Sequence, residues 1–549
     1  MVTRDIDFLC LGAGLGGLAG ALRAAALGLD TLVLERSGMV GGVAAYSGGV
    51  CWVAANHVQE RTGLDDSIEE GLAYLDFANG KDVPFDRELR DELFRRAPEA
   101  YRWFADEGGI PFQSTGLNDQ YWPHGPGSKP EGRILEAWVP GGDLGPWQEL
   151  TRQSPHFRVL GLTQREVHDL GGDLRAFTEN PELIAARQAE DRRTYGPGLA
   201  AAFVRAALVQ RGVPCLLNVE TTRLTQDASG RVTGAIALID GVETEIRARC
   251  GVLIATGSYG NAPWAAQAEN LPALQEGSPP VLHGDHLSLT DPTPAAIVRS
   301  ATAFTVVGFK VPDATHPGTD EPVYVQVFEN VGFPHSMIVN DKGKRFGDES
   351  FYGYFVLAAR AWDPNAKRFT NWPCYLVCDD RFRQQYPFGP FLPGDEWPAD
   401  VPRAGTLAEL ATLVGIDPAG LEAQADRFNA DALDGHDPDF QRGTNEYGRK
   451  RLGDPNYPNP NLGPLEQPPF YAIKLDLIGL GIYSMGLSVN ADGQTLTRDG
   501  RPVPGLYATG NAAAFTEQPG YVGGLANTRN MVYAFSAASH AAGSRPAPR

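Results

Sequence analysis

The residues with the clearest chemical meaning are three glycines and one acidic residue close to the start of the chain. Gly12, Gly14 and Gly17 follow an apolar segment with the spacing Gly-x-Gly-x-x-Gly, and Glu35 comes 21 residues after Gly14. Glycines at this spacing permit a tight turn and let backbone approach a pyrophosphate, and the acidic residue accepts hydrogen bonds from a ribose diol. An ordinary glycine-rich turn does not explain Glu35, so the pattern predicts a dinucleotide site.

The elements that must position these residues are two strands and the helix between them. An apolar strand ends at Leu11, an alanine-rich helix is predicted over Leu18 to Leu27, and a second strand covers Thr31 to Leu34. N–H groups at the start of the helix carry partial positive charge that favours phosphate. This order of elements predicts a Rossmann-like α/β domain.

Composition and charge narrow the function classes. At 549 residues the chain is too long for one core, so we expect at least two domains. The formal charge of −20 argues against nucleic acid or an anionic membrane as a partner. No apolar run reaches the length of a membrane span, and the first strand begins too near Met1 to leave room for a signal peptide, so we expect a cytoplasmic protein.

Neither a disulfide scaffold nor a metal site is indicated. Six cysteines are too few for such a scaffold, and Cys374 and Cys378 lie in one predicted strand without metal-ligand spacing. His283 and His286 have no third ligand at a suitable spacing. We therefore predict no metal.

A stretch rich in proline, glycine and aromatic residues, roughly 270–465, separates two strands that each end in Thr-Gly. We interpret it as a second, α+β domain inserted into the first. A hairpin is predicted over Met337–Phe346, and the Pro-rich segment Asp454–Pro469 is the expected return linker. The predicted division is 1–268 and 466–549 for the nucleotide-binding domain and 269–465 for the insert.

Further motifs follow in a fixed order along the chain. They are Gly41-Gly42, Ser47-Gly48-Gly49-x-x-Trp52, Ala255-Thr256-Gly257, Gly343-Lys-Arg-Phe-x-Asp-Glu349, Gly505-Leu-Tyr-Ala-Thr-Gly-Asn511 and Gly523-Gly524-Leu525-Ala526. With the first glycine motif they span nearly the whole chain, and the combination resembles the fumarate reductase and succinate dehydrogenase flavoprotein superfamily. Within it, the chain is most similar to the 3-ketosteroid Δ1-dehydrogenases and related cyclic-ketone dehydrogenases.

This resemblance implies FAD, bound by the Rossmann-like domain and covered by an inserted catalytic, substrate-capping domain. The residues expected to bind FAD lie in the glycine loops, after the second strand, at the Thr-Gly endings and at the start of the last helix: Gly12, Gly14, Leu15, Gly17, Glu35, Arg36, Gly41, Gly42, Val43, Ser47, Gly48, Gly49, Thr256, Gly257, Gly510, Asn511, Leu525 and Ala526. Covalent members attach FAD through a histidine in the segment that here reads Val43-Ala-Ala-Tyr46, so we expect non-covalent FAD. No second Gly-x-Gly-x-x-Gly follows a strand, so electrons are expected to leave to an external acceptor: a quinone, oxygen or another redox partner.

Three positions indicate an uncharged substrate. Where fumarate-reducing members carry a substrate-binding arginine or histidine, this chain has Gly353, Tyr483 and Tyr521. Without those cations, the cost of desolvating a dicarboxylate is not offset. Gly353 and Gly520 also stand where the ketosteroid enzymes have tyrosines, which favours a smaller ring. The resemblance thus implies a small neutral cyclic ketone, oxidised as cyclohexanone is to cyclohex-2-enone.

Such a reaction requires hydrogen-bond donors to the ketone oxygen and a base for the α proton, while the β hydride goes to the flavin. By resemblance, the Gly524 N–H is one oxyanion donor and Tyr121 corresponds to an active-site tyrosine. Tyr521 lies one residue from the position of the carbonyl-binding tyrosine, and Tyr483 is a further candidate.

The base of the ketosteroid enzymes falls on Gly353 here, so the chain requires a replacement. We predict Tyr195, in a loop Asp191–Gly198 that opens a helix Leu199–Gln210. Tyrosine ordinarily has a pKa of about 10, and Arg192 or Arg193 is expected to favour its phenolate.

Other functions are compatible with parts of this pattern. They are a 3-ketosteroid Δ1-dehydrogenase, a fumarate- or ene-type reductase, and a non-catalytic flavin subunit that transfers electrons. A reductase of this kind predicts an arginine proton donor. Arg529, near the start of the last helix, either binds a substrate carboxylate or, as is more common, forms an ion pair on the helix surface.

Overall fold

A computed structural model describes residues 2–80, 86–156, 161–300, 303–351, 357–514 and 522–544. The first of its two large sheets has eight strands, and five of them run parallel. The strand order is Gln494–Leu496, Pro502–Ala508, Val242–Ile254, Val2–Leu11, Thr31–Leu34 and Cys215–Leu216. Val232–Ile239 pairs antiparallel with Val242–Ile254, and Glu220–Gln226 pairs antiparallel with Val232–Ile239.

The register of the parallel strands brings the sequence motifs to one edge. Leu11 lies opposite both Leu34 and Ile254, and Ile254 lies opposite Ala508. The residues that follow these four positions include the first glycine loop, Glu35 and both Thr-Gly endings. Because parallel strands all end at the same edge, segments that are distant in sequence form one crevice there.

Two predicted helix starts are shifted towards the N-terminus. The first helix is Leu15–Ala26 rather than Leu18 to Leu27. The chain is helical from Tyr195, as an α-helix Tyr195–Val204 followed by a π-helical segment Arg205–Gln210, so the loop predicted to reach Gly198 is wrong in its second half. Pro197 is compatible with the helix because it lies in the first turn, where its missing N–H removes no helical hydrogen bond.

The second large sheet has seven strands and comes from the insert. Its order is Pro322–Gln326, Thr305–Thr315, Phe470–Gly479, Cys374–Cys378 and Ser336–Asn340, and Gln275–Glu276 and Arg403–Ala404 also pair with Phe470–Gly479. Since Phe470–Gly479 is a central strand here, we propose that the chain returns to the first domain after Gly479, not at residue 466.

The hairpin predicted over Met337–Phe346 is wrong. Ser336–Asn340 pairs with Cys374–Cys378, and a turn and irregular chain follow it. All five residues of that strand are buried, so both of its faces pack in the interior, unlike those of an exposed hairpin.

Helices cover both sheets. Among the described residues, helices with an α-helical hydrogen-bond pattern include Leu15–Ala26, His57–Thr62, Ile68–Asn79, Arg87–Asp106, Gln164–Asp169, Asp173–Glu179, Pro181–Ala189, Tyr195–Val204, Ala265–Ala268, Asp285–Thr290, Asp380–Gln385, Leu407–Val414, Pro418–Leu433, Glu446–Arg451 and Leu525–Gly543. The last helix is almost wholly buried and packs on Leu15–Ala26 and Arg87–Asp106. Within the described ranges, none of the helices is both long and apolar enough to cross a bilayer.

Candidate active site

A cleft at the edge where the parallel strands end encloses about 1180 Å³, counting space open to solvent. Most of the predicted cofactor residues line this cleft: Gly12, Gly14, Leu15, Glu35, Arg36, Gly42, Val43, Ser47, Thr256, Gly257, Gly510, Asn511 and Ala526. Gly17, Gly41, Gly48, Gly49 and Leu525 are not part of its lining and lie beside it.

Two glycines of the first motif set how closely the backbone packs. Gly12 has φ +108°, and a Cβ added there would lie 2.4 Å from the carbonyl oxygen of Ala255. A Cβ on Gly17 would lie 1.9 Å from the oxygen of Gly12. A side chain at either position would force the first helix away from the strands, so Gly17 acts through packing rather than through contact with a ligand.

The carboxylate of Glu35 is held rigidly at one end of the cleft. Its Oε2 accepts a hydrogen bond from Ala13 N (2.8 Å), and its Oε1 accepts from the backbone N and the hydroxyl of Ser37 (2.9 and 2.8 Å). Each carboxylate oxygen has two acceptor sites, so Oε2 retains capacity for a ribose hydroxyl. Arg152, which the sequence did not reveal, lines the cleft and donates to Ser37 Oγ (2.9 Å).

The remainder of the cleft carries donors for phosphate and for a polar ring. The Thr256 hydroxyl lines it and is buried without a hydrogen-bond partner among the described residues. The start of the helix Leu525–Gly543 lies in the lining together with Asn527 and Asn530, which were not predicted. An acid at one end, glycine backbone in the middle and amides with a helix N-terminus at the other end fit an elongated dinucleotide such as FAD.

Arg529 is buried beside this cleft, so the expectation of a surface ion pair is wrong. The residue is 1% exposed, and its Nη2 donates to Asn511 Oδ1 (3.1 Å). Asn511 in turn donates to the carbonyl oxygen of Gly481 (2.8 Å). Buried arginines keep their charge and need several acceptors, and Arg529 therefore orients the amide of a predicted cofactor residue.

A second cavity, which we call the inner cavity, adjoins the cleft and encloses about 800 Å³ including open space. The cleft and the inner cavity share Val43, Ser47, Leu480 and Ile482. Of the predicted catalytic residues, Tyr121, Tyr195 and Gly524 line the inner cavity. A Cβ added to the neighbouring Gly523 would lie 3.6 Å from the Tyr121 hydroxyl, so this phenol ends beside the glycine pair.

The structure does not bring Tyr483 into this lining. Its hydroxyl donates to Glu276 Oε2 (2.5 Å), and its ring packs on Tyr259. Burial and the nearby Glu276 carboxylate raise the pKa of Tyr483 well above its usual value, which makes this phenol a poor base. Tyr521, Gly353 and Gly520 lie outside the described residues.

Tyr195 has a strained backbone at the start of its helix. Its φ is +56°, a left-handed conformation that costs a non-glycine residue about 1–2 kcal/mol. The conformation is held by a hydrogen bond from Gly196 N to Ser47 O (3.1 Å) and by the close packing of Gly49 against the Tyr195 carbonyl. Strain retained in a cavity lining is common at functional sites.

The two arginines expected to activate Tyr195 are engaged by carboxylates. Arg192 contacts Glu190 (2.6 Å) and stacks on a tryptophan ring, and Arg193 contacts Asp191 (2.9 Å). The neighbouring carboxylates therefore largely neutralise the positive charge of both arginines. Each ion pair joins residues two apart in sequence, and the sequence spacing alone did not show that the side chains would contact each other.

Several lining residues of the inner cavity were missed because they come from the insert. Gln326, Phe328, Glu329 and Arg451 all line it. The Tyr447 hydroxyl donates to Glu329 Oε1 (2.9 Å), and Arg451 Nη2 lies 3.6 Å from the same oxygen.

Tyr46 also lines the inner cavity, at a contact between the two domains. Its hydroxyl lies 3.1 Å from His316 Nδ1. Burial raises the pKa of Tyr46, and burial together with the charge of Arg152 lowers the pKa of His316 to about 4. Both groups are therefore neutral near pH 7, and a hydrogen bond between neutral partners joins the phenol to the imidazole.

A third cavity, the outer chamber, lies between segments 116–130 and 167–172 and the helix Glu446–Arg451. It encloses about 1370 Å³ including open space, and Gln120 and Arg451 line both this chamber and the inner cavity. The three spaces thus adjoin one another in the order cleft, inner cavity, outer chamber. Among the described residues, no cluster of His, Cys, Asp and Glu is arranged to hold a metal ion.

Comparison with known proteins gives consistent matches over almost the whole chain. The family described as FAD binding domain matches residues 7–524. The chain is 31% identical over 535 residues to the 4-oxocyclohexanecarboxylate 2-dehydrogenase of Sinomonas cyclohexanicum, covering 94% of this chain and 89% of that protein. It is 31% identical over 554 residues to the 3-oxosteroid 1-dehydrogenase of Mycobacterium tuberculosis (strain ATCC 25618 / H37Rv), covering 94% of each.

Among solved structures, the 3-ketosteroid delta1-dehydrogenase from Sterolibacterium denitrificans in complex with 1,4-androstadiene-3,17-dione is similar over 98% of this chain and 100% of that one. The TM-score is 0.83 at 29% identity. The likeness includes the insert as well as the nucleotide-binding domain.

Proposed function

We propose a specific reaction from the premise that this chain belongs to the FAD binding domain family. The protein is an FAD-dependent oxidoreductase of the ketone dehydrogenase type, which acts on CH–CH groups. Its fold, a Rossmann-like FAD-binding domain with an inserted substrate-capping domain, confirms the predicted fold class. FAD is its cofactor, as predicted.

The proposed reaction is the α,β-dehydrogenation of a small cyclic ketone to the enone, as in cyclohexanone to cyclohex-2-enone. The two relatives compared above, each 31% identical, are named for cyclic ketones, one with a single ring and one with a steroid nucleus. The polar groups in the described lining of the inner cavity are mainly phenols, amides and hydroxyls. Such groups suit an uncharged carbonyl compound.

The observation that carries this proposal is the convergence of three groups in the cavity next to the FAD cleft. Tyr121 and the N–H of Gly524 are the proposed donors to the ketone oxygen, where negative charge develops. Gly524 precedes the helix Leu525–Gly543, whose N-terminal partial positive charge favours the same anion. Tyr195 is the proposed base for the α proton, and bound FAD supplies the acceptor for the β hydride.

Two further groups take different roles. Tyr483 is proposed to support the site through its hydrogen bond to Glu276 rather than to act as a base. Tyr521 keeps the role predicted for it, as a second phenol near the ketone oxygen. Non-covalent attachment of FAD and transfer of electrons to a quinone, oxygen or another redox partner complete the proposal.

A 3-ketosteroid Δ1-dehydrogenase is the second candidate. It is favoured by the outer chamber, which adjoins the inner cavity at Gln120 and Arg451 and offers room for a larger ring system. A substrate panel separates the two candidates.

The test is anaerobic bleaching of the purified yellow protein with cyclohexanone, 4-oxocyclohexanecarboxylate and a 3-ketosteroid, followed by turnover with an artificial acceptor. Bleaching by the single-ring ketones supports the proposal, and activity on the steroid alone overturns the small-ring assignment. Tyr195→Phe should retain FAD and lose about 100-fold or more in kcat. Undiminished turnover in that variant would remove Tyr195 as the base.

A further inference from the structure

Glu329 is the one carboxylic acid in the described lining of the inner cavity. It follows the strand Pro322–Gln326, so the insert carries it to a cavity whose proposed catalytic groups come from the other domain. Its side chain is 25% exposed, so water reaches it. Neither the predicted catalytic set nor the proposed reaction gives this residue a role.

The contacts of Glu329 place it at the boundary between the inner cavity and the outer chamber. Tyr447, which donates to its Oε1 (2.9 Å), lines the outer chamber, and Arg451, 3.6 Å from that oxygen, lines both spaces. The ring of Tyr447 also packs on Tyr121, at 5.0 Å between centroids. The carboxylate is thus held from the outer side while its residue forms part of the inner wall.

The neighbouring groups favour a carboxylate that stays charged and oriented. Burial raises the pKa of Tyr447 well above its usual value, so this phenol remains a hydrogen-bond donor at all working pH values. The guanidinium of Arg451 stabilises negative charge on the oxygen that it faces. A charged carboxylate beside water is a competent proton acceptor.

The proposed chemistry leaves one proton to be removed in each turnover. The α proton passes to the oxygen of Tyr195, and that oxygen must lose it before the next turnover. Arg192 and Arg193 are paired with carboxylates, so they offer little help in forming the phenolate. A carboxylate that borders both the cavity and solvent offers this proton a path to bulk water.

We propose that Glu329 is that acceptor, a catalytic proton relay between Tyr195 and the outer chamber. In this step the Tyr195 O–H bond breaks, the proton crosses cavity water and forms an O–H bond on the Glu329 carboxylate. It then leaves to bulk water through the outer chamber, which restores both the phenolate and the carboxylate. No oxidant or reductant takes part, and the relay rests on the proposed function of Tyr195.

The test is Glu329→Gln, which keeps an acceptor oxygen for Tyr447 but cannot take up a proton at neutral pH. We expect kcat for cyclohexanone to fall about 100-fold, with KM within about twofold of the wild type because substrate contacts are kept. In the wild type, kcat falls as the carboxylate becomes protonated at acidic pH, and this acidic limb should be lost in the variant. Glu329→Asp should retain part of the rate.

A cavity-forming variant adds a readout that a purely structural role would not change. Formate added to Glu329→Ala should restore turnover in a concentration-dependent way, because a small carboxylate can occupy the vacated position. Glu321→Gln, the same substitution at an exposed site in the same domain, is the matched control and should keep wild-type kcat. FAD content and thermal unfolding are measured for each variant.

The outcomes separate the relay from the reaction itself. A wild type that no cyclic ketone bleaches refutes the proposed function and the relay with it. A wild type that turns over, with a Glu329→Gln variant of equal kcat and unchanged pH profile, refutes the relay alone. A variant with raised KM and unchanged kcat also refutes it, because that pattern would show that Glu329 contributes to substrate binding rather than to proton transfer.

Discussion

Replacing Gly49 with alanine tests whether the position of Tyr195 controls turnover. Gly49 has φ +70°, and a Cβ added there would lie 2.0 Å from the carbonyl carbon of Tyr195. Cβ atoms do not approach other heavy atoms within 3.0 Å, so the two segments must separate by about 1 Å. Because a catalytic group misplaced by about 1 Å can cost about 100-fold in rate, we expect kcat to fall by that factor. Gly49 does not line the FAD cleft, so FAD should stay bound.

The control is Gly63→Ala, at a glycine with nearly the same positive φ but without the clash. Gly63 has φ +72°, and nothing lies within 4 Å of a Cβ added there. It should lose about 1 kcal/mol of unfolding free energy, the cost of the left-handed conformation, with kcat unchanged. Steady-state turnover of cyclohexanone with an artificial acceptor, flavin absorbance and thermal unfolding are compared for both variants. If Gly49→Ala turned over like the wild type, the placement of Tyr195 would not govern catalysis and the reasoning would fail.

Two further predictions concern the cofactor and pH. Glu35→Gln removes the negative charge on the oxygen proposed to accept a hydrogen bond from the ribose of FAD. Loss of a charge-assisted hydrogen bond worth about 2 kcal/mol should weaken FAD binding about 30-fold in a titration of the apoprotein. An unchanged Kd would contradict the assignment. Burial lowers the pKa of His156 and of His286 from 6.5 to about 4. As the pH falls below 6.5, these histidines therefore become protonated in the unfolded chain before they do in the folded protein. The unfolding free energy should therefore be fully present above about pH 6.5 and fall towards pH 4, by at most about 3 kcal/mol for each histidine. Burial raises the pKa of Glu276 to about 7, which acts in the opposite direction, so Glu276→Gln should steepen the dependence in urea unfolding. A variant as stable at pH 5 as at pH 7 would refute this account.

The nucleotide half of the site could be predicted because its signals are local. Gly12 and Gly17 fall within six residues, and their roles follow from a turn and a packing distance that spacing alone specifies. Glu35 follows a strand whose end is fixed by the parallel register. Where local chemistry decides the structure, as it does here, sequence pattern suffices.

The substrate half could not be predicted in the same way. Glu329 and Arg451 are 122 residues apart and reach the inner cavity only after the seven-stranded sheet forms. Neither residue lies in a motif, and each alone looks like an ordinary surface charge. Their position in the site depends on long-range packing, which cannot be inferred from a single sequence.

The motif Gly343–Glu349 helped to identify the family, and in the structure its role is to support the fold. Arg345 bonds to Glu349 (2.7 Å) and to Asp437 (3.0 Å), and all three side chains are almost fully buried. Glu349 also accepts from the backbone N of Ile338, in the strand Ser336–Asn340. The motif therefore fixes a strand of the insert, since removing one partner of such a network leaves a buried charge unpaired.

The charges of the inner cavity decide between ketone oxidation and dicarboxylate reduction. Arg451 is the single guanidinium in its described lining, and it faces Glu329 at 3.6 Å, so the pair contributes no net charge. A dicarboxylate brings two negative charges, and each costs several kcal/mol to desolvate unless a cation pairs with it. A second acid would also be repelled by Glu329. An uncharged ketone avoids both costs and needs only donors at its oxygen and a path for one proton, the roles that we propose for Tyr121, Gly524 and Glu329.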